Sequence, residues 1–232
     1  MQLLLLSNST LKGQSYLGWP QKHLSTFLQG VKNILFIPYA GVTINYDEYT
    51  ESVKNALSDF NLDITGIHTV YDKIEQIKAA DCIMIGGGNT FSLLSSLQNE
   101  GLIKPIKQSI KKGAKFVGWS AGSNMACPTI KTTNDMPIEQ PLSFDALGLI
   151  GFQINPHFTN EVIPNHGGES RALRLKEYLI MNPKSTVVGL PEGMLLEVDG
   201  NNLFLKGEGE AFLFKKGVEA QVLNPGKLEI SF

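Results

Sequence analysis

The chain has 232 residues, of which 42% are hydrophobic and 18% charged, and this composition is typical of a globular protein that buries a full core. Its formal net charge of −2 and its pI near 6.1 argue against nucleic acid or an anionic membrane as the main partner. No apolar run reaches transmembrane length, and the start MQLLLLSNST lacks the basic stretch of a signal peptide. We therefore expect a single cytoplasmic domain over residues 1–232, as a monomer or a small homo-oligomer.

The first half of the chain alternates short apolar strands with amphipathic helical segments. The strands are predicted at residues 3–6, 34–38, 64–70, 82–85 and 115–117. The helices are predicted at residues 16–28, 49–60, 73–80, 90–97 and 105–112. This alternation predicts an α/β fold with a mostly parallel sheet and helices on both of its faces.

The second half of the chain has a less regular pattern. It is predicted to contain two strands and a helix, at residues 152–155, 186–190 and 169–181. After Met194 the pattern changes to β, with a hairpin around the turn Asp199-Gly200. The hairpin strands are predicted at residues 195–198 and 203–205, with extensions at residues 211–214 and 228–232.

The two cysteines, Cys82 and Cys127, both lie in apolar sequence, which favours buried, inert thiols in a reducing compartment. Their spacing does not match a metal site. We therefore expect neither a metal nor any other cofactor.

Residues 115–128, KFVGWSAGSNMACP, contain the strongest functional motif. Gly118, Ser120 and Gly122 form G-x-S-x-G between an apolar strand and a segment that can begin a helix. This is the pattern of a nucleophile elbow, a sharp turn that exposes a serine hydroxyl. The backbone N–H of Ala121 would then form part of an oxyanion hole, with Gly88 of the upstream GGGNT turn as the second donor. The alternative is a glycine-rich turn with a merely exposed serine.

A serine nucleophile needs a base, and the base needs an orienting acid. Among the four histidines, His157 follows a predicted strand at the crevice edge, and we favour it over His166, which lies in a predicted loop beside two glycines. Asp135 in TTNDMP and Glu192 in LPEG are both candidates for the acid. Their spacing does not separate them.

Two further features bear on ligand binding. The GGGNT turn could also bind phosphate, but no lysine follows it and G-x-G-x-x-G is absent, so a nucleotide site is disfavoured. Arg171 begins a predicted helix next to Glu169. It is either a solvated surface cation or a clamp for a substrate carboxylate, which arginine binds in a bidentate manner.

Taken together, these motifs resemble those of peptidase E, the α-aspartyl dipeptidase family. The matching strings are LLLLSNST, FIPYAGVT, GGGNTF, GWSAGSNMACPTIKTTNDMPI, INPHFTN and LPEG. They span Leu3 to Gly193, and one departure is Lys131 at a position where the family is expected to have arginine. The resemblance implies a three-layer α/β/α fold of the class I glutamine amidotransferase type, with serine in place of the usual cysteine.

The same resemblance implies a cytoplasmic, metal-independent hydrolase of dipeptides with N-terminal aspartate. By motif position Ser120 is the nucleophile, His157 the base and Asp135 the usual acid, with Glu192 as its rival. We choose Arg171 for the substrate β-carboxylate and Asn89 as a further donor.

The sequence leaves three assignments open: the ligand of the substrate ammonium, the kind of hydrolase, and whether the protein is a catalyst. Glu169 and Glu192 are both candidates for the substrate ammonium. A related cyanophycinase-like hydrolase of aspartyl-arginine polymer is the alternative enzyme, and an esterase is a weaker one. A binding protein on the same fold is the alternative without catalysis.

Overall fold

The computed structural model describes residues 1–161 and 167–230. These residues form one eight-stranded mixed sheet and one four-stranded sheet. The strands are β1 (Gln2–Leu6), β2 (Asn33–Ile37), β3 (Asp63–Gly66), β4 (Cys82–Ile85), β5 (Lys115–Trp119), β6 (Gln153–Pro156), β7 (Thr186–Leu190), β8 (Met194–Asp199), β9 (Asn202–Gly207), β10 (Ala211–Lys215), β11 (Gln221–Leu223) and β12 (Gly226–Leu228). The α-helices are α1 (Gln21–Phe27), α2 (Tyr46–Ala56), α3 (Lys73–Ala79), α4 (Thr90–Asn99), α5 (Ile103–Lys111), α6 (Ala121–Met125) and α7 (Arg171–Met181).

The large sheet has the strand order β12-β9-β8-β1-β5-β4-β2-β3. Strands β1, β5, β4, β2 and β3 are parallel, and β8, β9 and β12 are antiparallel. Strand β1 lies between β5, where Leu6 pairs with Trp119, and β8, where Leu6 pairs with Leu195. Its carboxyl end is therefore next to both the elbow turn and the turn that precedes β8.

Helices cover both faces of this sheet, because alternate residues of its central strands are all apolar. Leu3 and Leu5 pack into a core with residues of α3, α4, α5 and α6. Leu4 and Leu6 pack into a second core with residues of α1 and α2. Fully burying each leucine is worth roughly 1.5–3 kcal/mol relative to exposing it. The predicted three-layer α/β/α fold with a mostly parallel sheet is confirmed.

The second sheet, with order β11-β10-β7-β6, differs from the predicted arrangement. Strand β10 was expected to extend the C-terminal hairpin, but it pairs with β7 instead. This pairing brings Phe214 of β10 into one apolar cluster with β7 and α7, and β7 is buried on both faces. Val188 faces the main core, whereas Val187 packs with Leu175 and Leu179 of α7. Among the described residues, the hairpin is extended by β12, which pairs with β9.

Two local predictions also need correction. The third strand ends at Gly66, and His68 lies in a short 3-10 helix, where its Nε2 is 2.8 Å from Asp47 Oδ1. A Cβ at position 66 would collide with the His68 ring, so glycine permits this turn. The hairpin between β8 and β9 turns at Gly200 and Asn201, with Gly200 at a φ of +60°.

Within residues 1–161 and 167–230, no helix combines the length and apolar character needed to cross a bilayer.

Candidate active site

Ser120 lies at the sharp junction between β5 and α6. Its φ of +53° and ψ of −113° fall outside the regions that non-glycine residues prefer, a conformation that costs on the order of 1–3 kcal/mol. The turn is packed so closely that a Cβ at Gly122 would overlap the backbone oxygen of Ile85. A Cβ at Gly118 would lie 2.5 Å from the Gly122 backbone. Both glycines of the motif are therefore required by sterics, and the turn displays the Ser120 hydroxyl.

A chain of hydrogen bonds links Ser120 to a histidine and a carboxylate. His157 Nε2 lies 2.9 Å from Ser120 Oγ, and His157 Nδ1 lies 2.7 Å from Glu192 Oε1. His157 directly follows β6 and also has a positive φ of +53°, while Glu192 lies in the turn after β7. Because β6 and β7 are parallel neighbours, their carboxyl ends bring the two side chains together.

Asp135 does not contact His157 in this structure. Its Oδ2 accepts hydrogen bonds from the backbone N–H of Thr90, at 2.8 Å, and from the Thr90 hydroxyl. Thr90 is the first residue of α4, so this carboxylate lies at the positive end of a helix. The structure thus places Glu192, and not Asp135, in hydrogen-bond contact with His157, while Asp135 joins the loop after the elbow to α4, and which acid serves catalysis stays a prediction.

The glycine turn at residues 86–88 lies beside Ser120. A Cβ at Gly87 would be 3.1 Å from Ser120 Cβ, and one at Gly88, whose φ is +133°, would collide with the Ala40 carbonyl. The Tyr49 hydroxyl donates to Gly87 O at 2.9 Å and accepts from Trp119 Nε1 at 3.3 Å, which fixes the turn. Gly88 and Ala121 therefore lie in two closely packed turns next to Ser120, and their role as oxyanion donors stays a prediction.

Asn89 has a structural role that the sequence analysis did not predict. Its Oδ1 accepts from the N–H groups of Phe91 and Ser92, both at 3.1 Å, and caps α4. Its Nδ2 donates to Met136 O at 2.8 Å, which leaves one amide hydrogen for a ligand. Asn89 does line the cleft, so its suggested contact with substrate stays a prediction.

Ser120 and His157 open into a cleft of about 690 Å³. The cleft is lined mainly by aromatic and aliphatic side chains and by the glycine turn. These residues are Ser9, Tyr16, Ala40, Gly41, Val42, Thr43, Ile44, Tyr49, Gly87, Gly88, Asn89, Trp119, Ser120, Ile138 and His157. The volume suits a ligand of dipeptide size rather than a folded protein chain.

Arg171 is the first residue of α7, and Ser170 caps this helix through the Leu173 N–H at 3.2 Å. Within the described residues, the Arg171 Nη1 atom is buried and has no hydrogen-bond partner. Burial and the charge of Arg174 lower the pKa of Arg171, while the charges of Glu192 and Asp135 partly oppose this. Arg171 is therefore a partly desolvated cation, and it is not among the described residues that line the cleft.

The other histidines show no such arrangement in the part of the chain that the structure describes. His68 is bonded to Asp47, and His23 lies on α1. His166, the rival base, falls outside the described residues. These residues also contain no group of three or more His, Cys, Asp or Glu side chains that could hold a metal ion.

Sequence reasoning missed Ser7 and Asn8, which directly follow β1. Both are buried and both contact the turns that carry His157 or Glu192. The rule that ligand crevices form at the carboxyl ends of parallel strands could have found them, since β1 is such a strand. Tyr49 was also missed, because it was assigned only to the apolar face of a helix.

The fold and this serine–histidine–carboxylate geometry are those of a serine hydrolase that acts by acyl transfer. The model of peptidase family S51 matches residues 3–206. Peptidase E of Salmonella arizonae is 47% identical over 226 residues, covering 97% of this chain and 99% of that protein. Peptidase E of Nostoc sp. is 48% identical over 225 residues, covering 97% and 93%.

Solved structures agree on the fold. A peptidase from an acI-B1 Actinobacterium superposes with a TM-score of 0.73 at 20% identity, covering 100% of this chain and 96% of that one. The chain belongs to peptidase family S51. It is a serine-type peptidase, and the resemblance drawn from its motifs is confirmed.

Proposed function

We propose that this protein is a dipeptidase that hydrolyses dipeptides with an N-terminal aspartate through an acyl-enzyme on Ser120. The observation that carries this proposal is the pair of hydrogen bonds from His157 to Ser120 and to Glu192, at 2.9 and 2.7 Å. Distances of this kind are those required for proton transfer between a nucleophile, a base and an orienting acid. In this proposal His157 is the base and Glu192, rather than Asp135, is the acid.

The reaction follows from these positions. His157 Nε2 takes the proton of the Ser120 hydroxyl as the oxygen attacks the peptide carbonyl carbon. The N–H groups of Gly88 and Ala121 stabilise the negative charge on the carbonyl oxygen; one such donor is typically worth about 10²- to 10³-fold in kcat. His157 then protonates the leaving amine, and the C–N bond breaks. Water activated by His157 releases aspartate and restores the serine.

Arg171 supports the preference for aspartate. A buried, partly desolvated guanidinium atom without a partner among the described residues is ready to accept a carboxylate. The charge of Glu192 acts on Arg171, which supports a role for Arg171 toward the acyl half of the substrate, whose side chain is the β-carboxylate of aspartate. The group that binds the substrate ammonium stays open between Glu169 and Glu192.

Replacing Arg171 with methionine is expected to raise the barrier for Asp-Leu by roughly 2 to 5 kcal/mol, as for one member of a buried charge pair. The loss should be much smaller for Asn-Leu and Ala-Leu, because these dipeptides lack the β-carboxylate. The preference for Asp-Leu over the other two should therefore fall together with its kcat/KM. The measurement is kcat/KM for the three dipeptides. Arg174→Met is the matched control, because Arg174 is on the same helix and 66% exposed. A uniform loss for all three dipeptides would show that the β-carboxylate is bound elsewhere.

The apolar side of the cleft predicts the residue after aspartate. Val42, Ile44 and Ile138 line the cleft and are exposed in the absence of a ligand. Burial of a leucine side chain is worth roughly 1.5–3 kcal/mol, so kcat/KM for Asp-Leu should exceed that for Asp-Gly by about 10- to 100-fold. Ile138→Asn should reduce this ratio, whereas Val218→Asn, at an exposed site outside the cleft lining, should not. Equal rates for both dipeptides would contradict an apolar subsite here.

We propose one catalytic domain over residues 1–232, since the core of the large sheet also contains Ile154 and Val188 of the small sheet. A cytoplasmic location is supported by two buried free cysteines. We propose peptides as its ligands, with no nucleic acid or membrane partner. The test of the whole proposal is a screen of dipeptides varied at the first residue, and hydrolysis with no preference for aspartate would refute it.

A further inference from the structure

The last residue of β1 and the two residues that follow it contact the turns of the serine–histidine–glutamate chain. The Leu6 carbonyl accepts the N–H of Ser120 at 3.1 Å. The Ser7 hydroxyl accepts the N–H of His157 at 2.8 Å. The Asn8 side chain accepts, through Oδ1, the N–H of Gly193 at 2.9 Å, and Gly193 is the residue after Glu192. None of these three residues belongs to the cleft lining.

Ser7 has a second contact that links the base to the acid. While its oxygen accepts from His157 N–H, its own proton goes to the carbonyl of Leu190 at 2.7 Å. Leu190 lies two residues before Glu192, and Ser7 is 0% exposed. A buried hydroxyl that donates and accepts at once fixes the distance between the two turns, and alanine can do neither. His157 needs this support because its positive φ persists only where the surroundings hold it.

Asn8 holds the other side of the Glu192 turn. Its Oδ1 is bound to Gly193, its Nδ2 donates to Thr10 O at 2.9 Å, and its own carbonyl accepts from Trp19 Nε1 at 3.2 Å. Leu190 and Gly193 therefore bracket Glu192, and each is bonded to a side chain of this same short segment.

We propose that Ser7 and Asn8 are positioning residues for hydrolysis, which set the relative placement of His157 and Glu192 without touching substrate. The proposal rests on the proposed function of the serine–histidine–glutamate chain. Its physical basis is that a misplacement of about 1 Å in a catalytic constellation costs on the order of 10²-fold in rate. The end of β1 is suited to this task because it is anchored at the centre of the large sheet.

The test compares Ser7→Ala with Ser7→Thr, which keeps the hydroxyl. Ser7→Ala should lower kcat for Asp-Leu by roughly 10²-fold with KM nearly unchanged, because the site, not substrate binding, is misaligned. Ser7→Thr should recover most of this loss. Labelling of Ser120 by a serine-reactive phosphonate should slow by a similar factor in Ser7→Ala. The matched control is Ser109→Ala, since Ser109 is also buried and donates to a carbonyl, that of Ile77, but lies on α5 and joins it to α3.

Ser109→Ala should lose thermal stability comparably yet keep its kcat, which separates positioning from a general loss of structure. The proposal is overturned if folded Ser7→Ala keeps kcat within about threefold of the parent, or if only KM changes. If Ser7→Ala does not fold, Asn8→Ala decides by the same criteria, because it removes the bond to Gly193 and leaves both bonds of the Ser7 hydroxyl in place. Failure of the parent protein to cleave Asp-Leu would refute the proposed substrate, while the phosphonate reaction would still test the positioning role.

Discussion

Replacing Ser120 with alanine is expected to lower kcat for Asp-Leu by about 10⁴- to 10⁶-fold, the range found when a serine nucleophile is removed. The reason is that the Ser120 hydroxyl is the group at the elbow within 2.9 Å of His157 Nε2 and exposed to the cleft. The residual rate would come from the oxyanion donors and from substrate binding. The measurement is release of leucine over long incubations at high enzyme concentration.

Ser120→Gly provides the matched control for backbone strain. Glycine accepts a φ of +53° at little cost, so this variant removes the hydroxyl and relieves the strain together. Both variants should be equally inactive, fold as judged by circular dichroism, and resist labelling by a serine-reactive phosphonate. Substantial turnover by a folded Ser120→Ala protein would show that another group is the nucleophile.

The second large loss of kcat is expected for Glu192→Gln. This change keeps the shape of the side chain but removes the charge that stabilises protonated His157, and it allows the amide to favour the wrong ring orientation or tautomer. Removal of a buried acid in such a triad costs about 10⁴-fold. Because Glu192 is 52% exposed, solvent screens its charge and a loss of roughly 10²- to 10⁴-fold in kcat is expected.

Asp135→Asn is the variant to compare with Glu192→Gln, because Asp135 is the other candidate for the acid. The asparagine oxygen can still accept from the Thr90 N–H, but the charge at the start of α4 is lost. We expect a fall in stability of about 0.5–2 kcal/mol, as for a weakened helix cap, and a loss in kcat smaller than that of Glu192→Gln. Thr90→Val should reproduce part of this effect. If Asp135→Asn alone abolishes turnover while Glu192→Gln is active, the contact between Glu192 and His157 is incidental to catalysis.

Asp135 can nevertheless influence catalysis indirectly, through the loop that it holds. Together with the bond from Asn89 to Met136 O, it ties the loop after the elbow to the residues that follow the glycine turn. A shift of this loop would move Gly88 relative to Ser120. A moderate effect of Asp135→Asn on kcat is therefore compatible with its placement away from His157.

The sequence by itself determined the features that depend on short-range sterics. The elbow was predictable because Gly118 and Gly122 lie within two residues of Ser120, and only glycine fits where β5, α6 and Ile85 approach. The central strands were predictable because they are apolar on both faces. The place of His157 at the crevice was predictable because it directly follows β6, and the residues after parallel strands lie at the crevice edge of the sheet.

Only the tertiary structure decided which acid meets His157. Asp135 and Glu192 both lie in polar turns, and the outcome depends on β7 pairing beside β6 while Thr90 binds the Asp135 carboxylate. The contact of Ser7 with His157 spans 150 residues of chain and was equally beyond local reasoning. Hydrogen bonds act over about 3 Å in space, whereas sequence patterns report neighbours along the chain. The partners of the nucleophile were therefore fixed by how the two sheets are placed together, not by any motif.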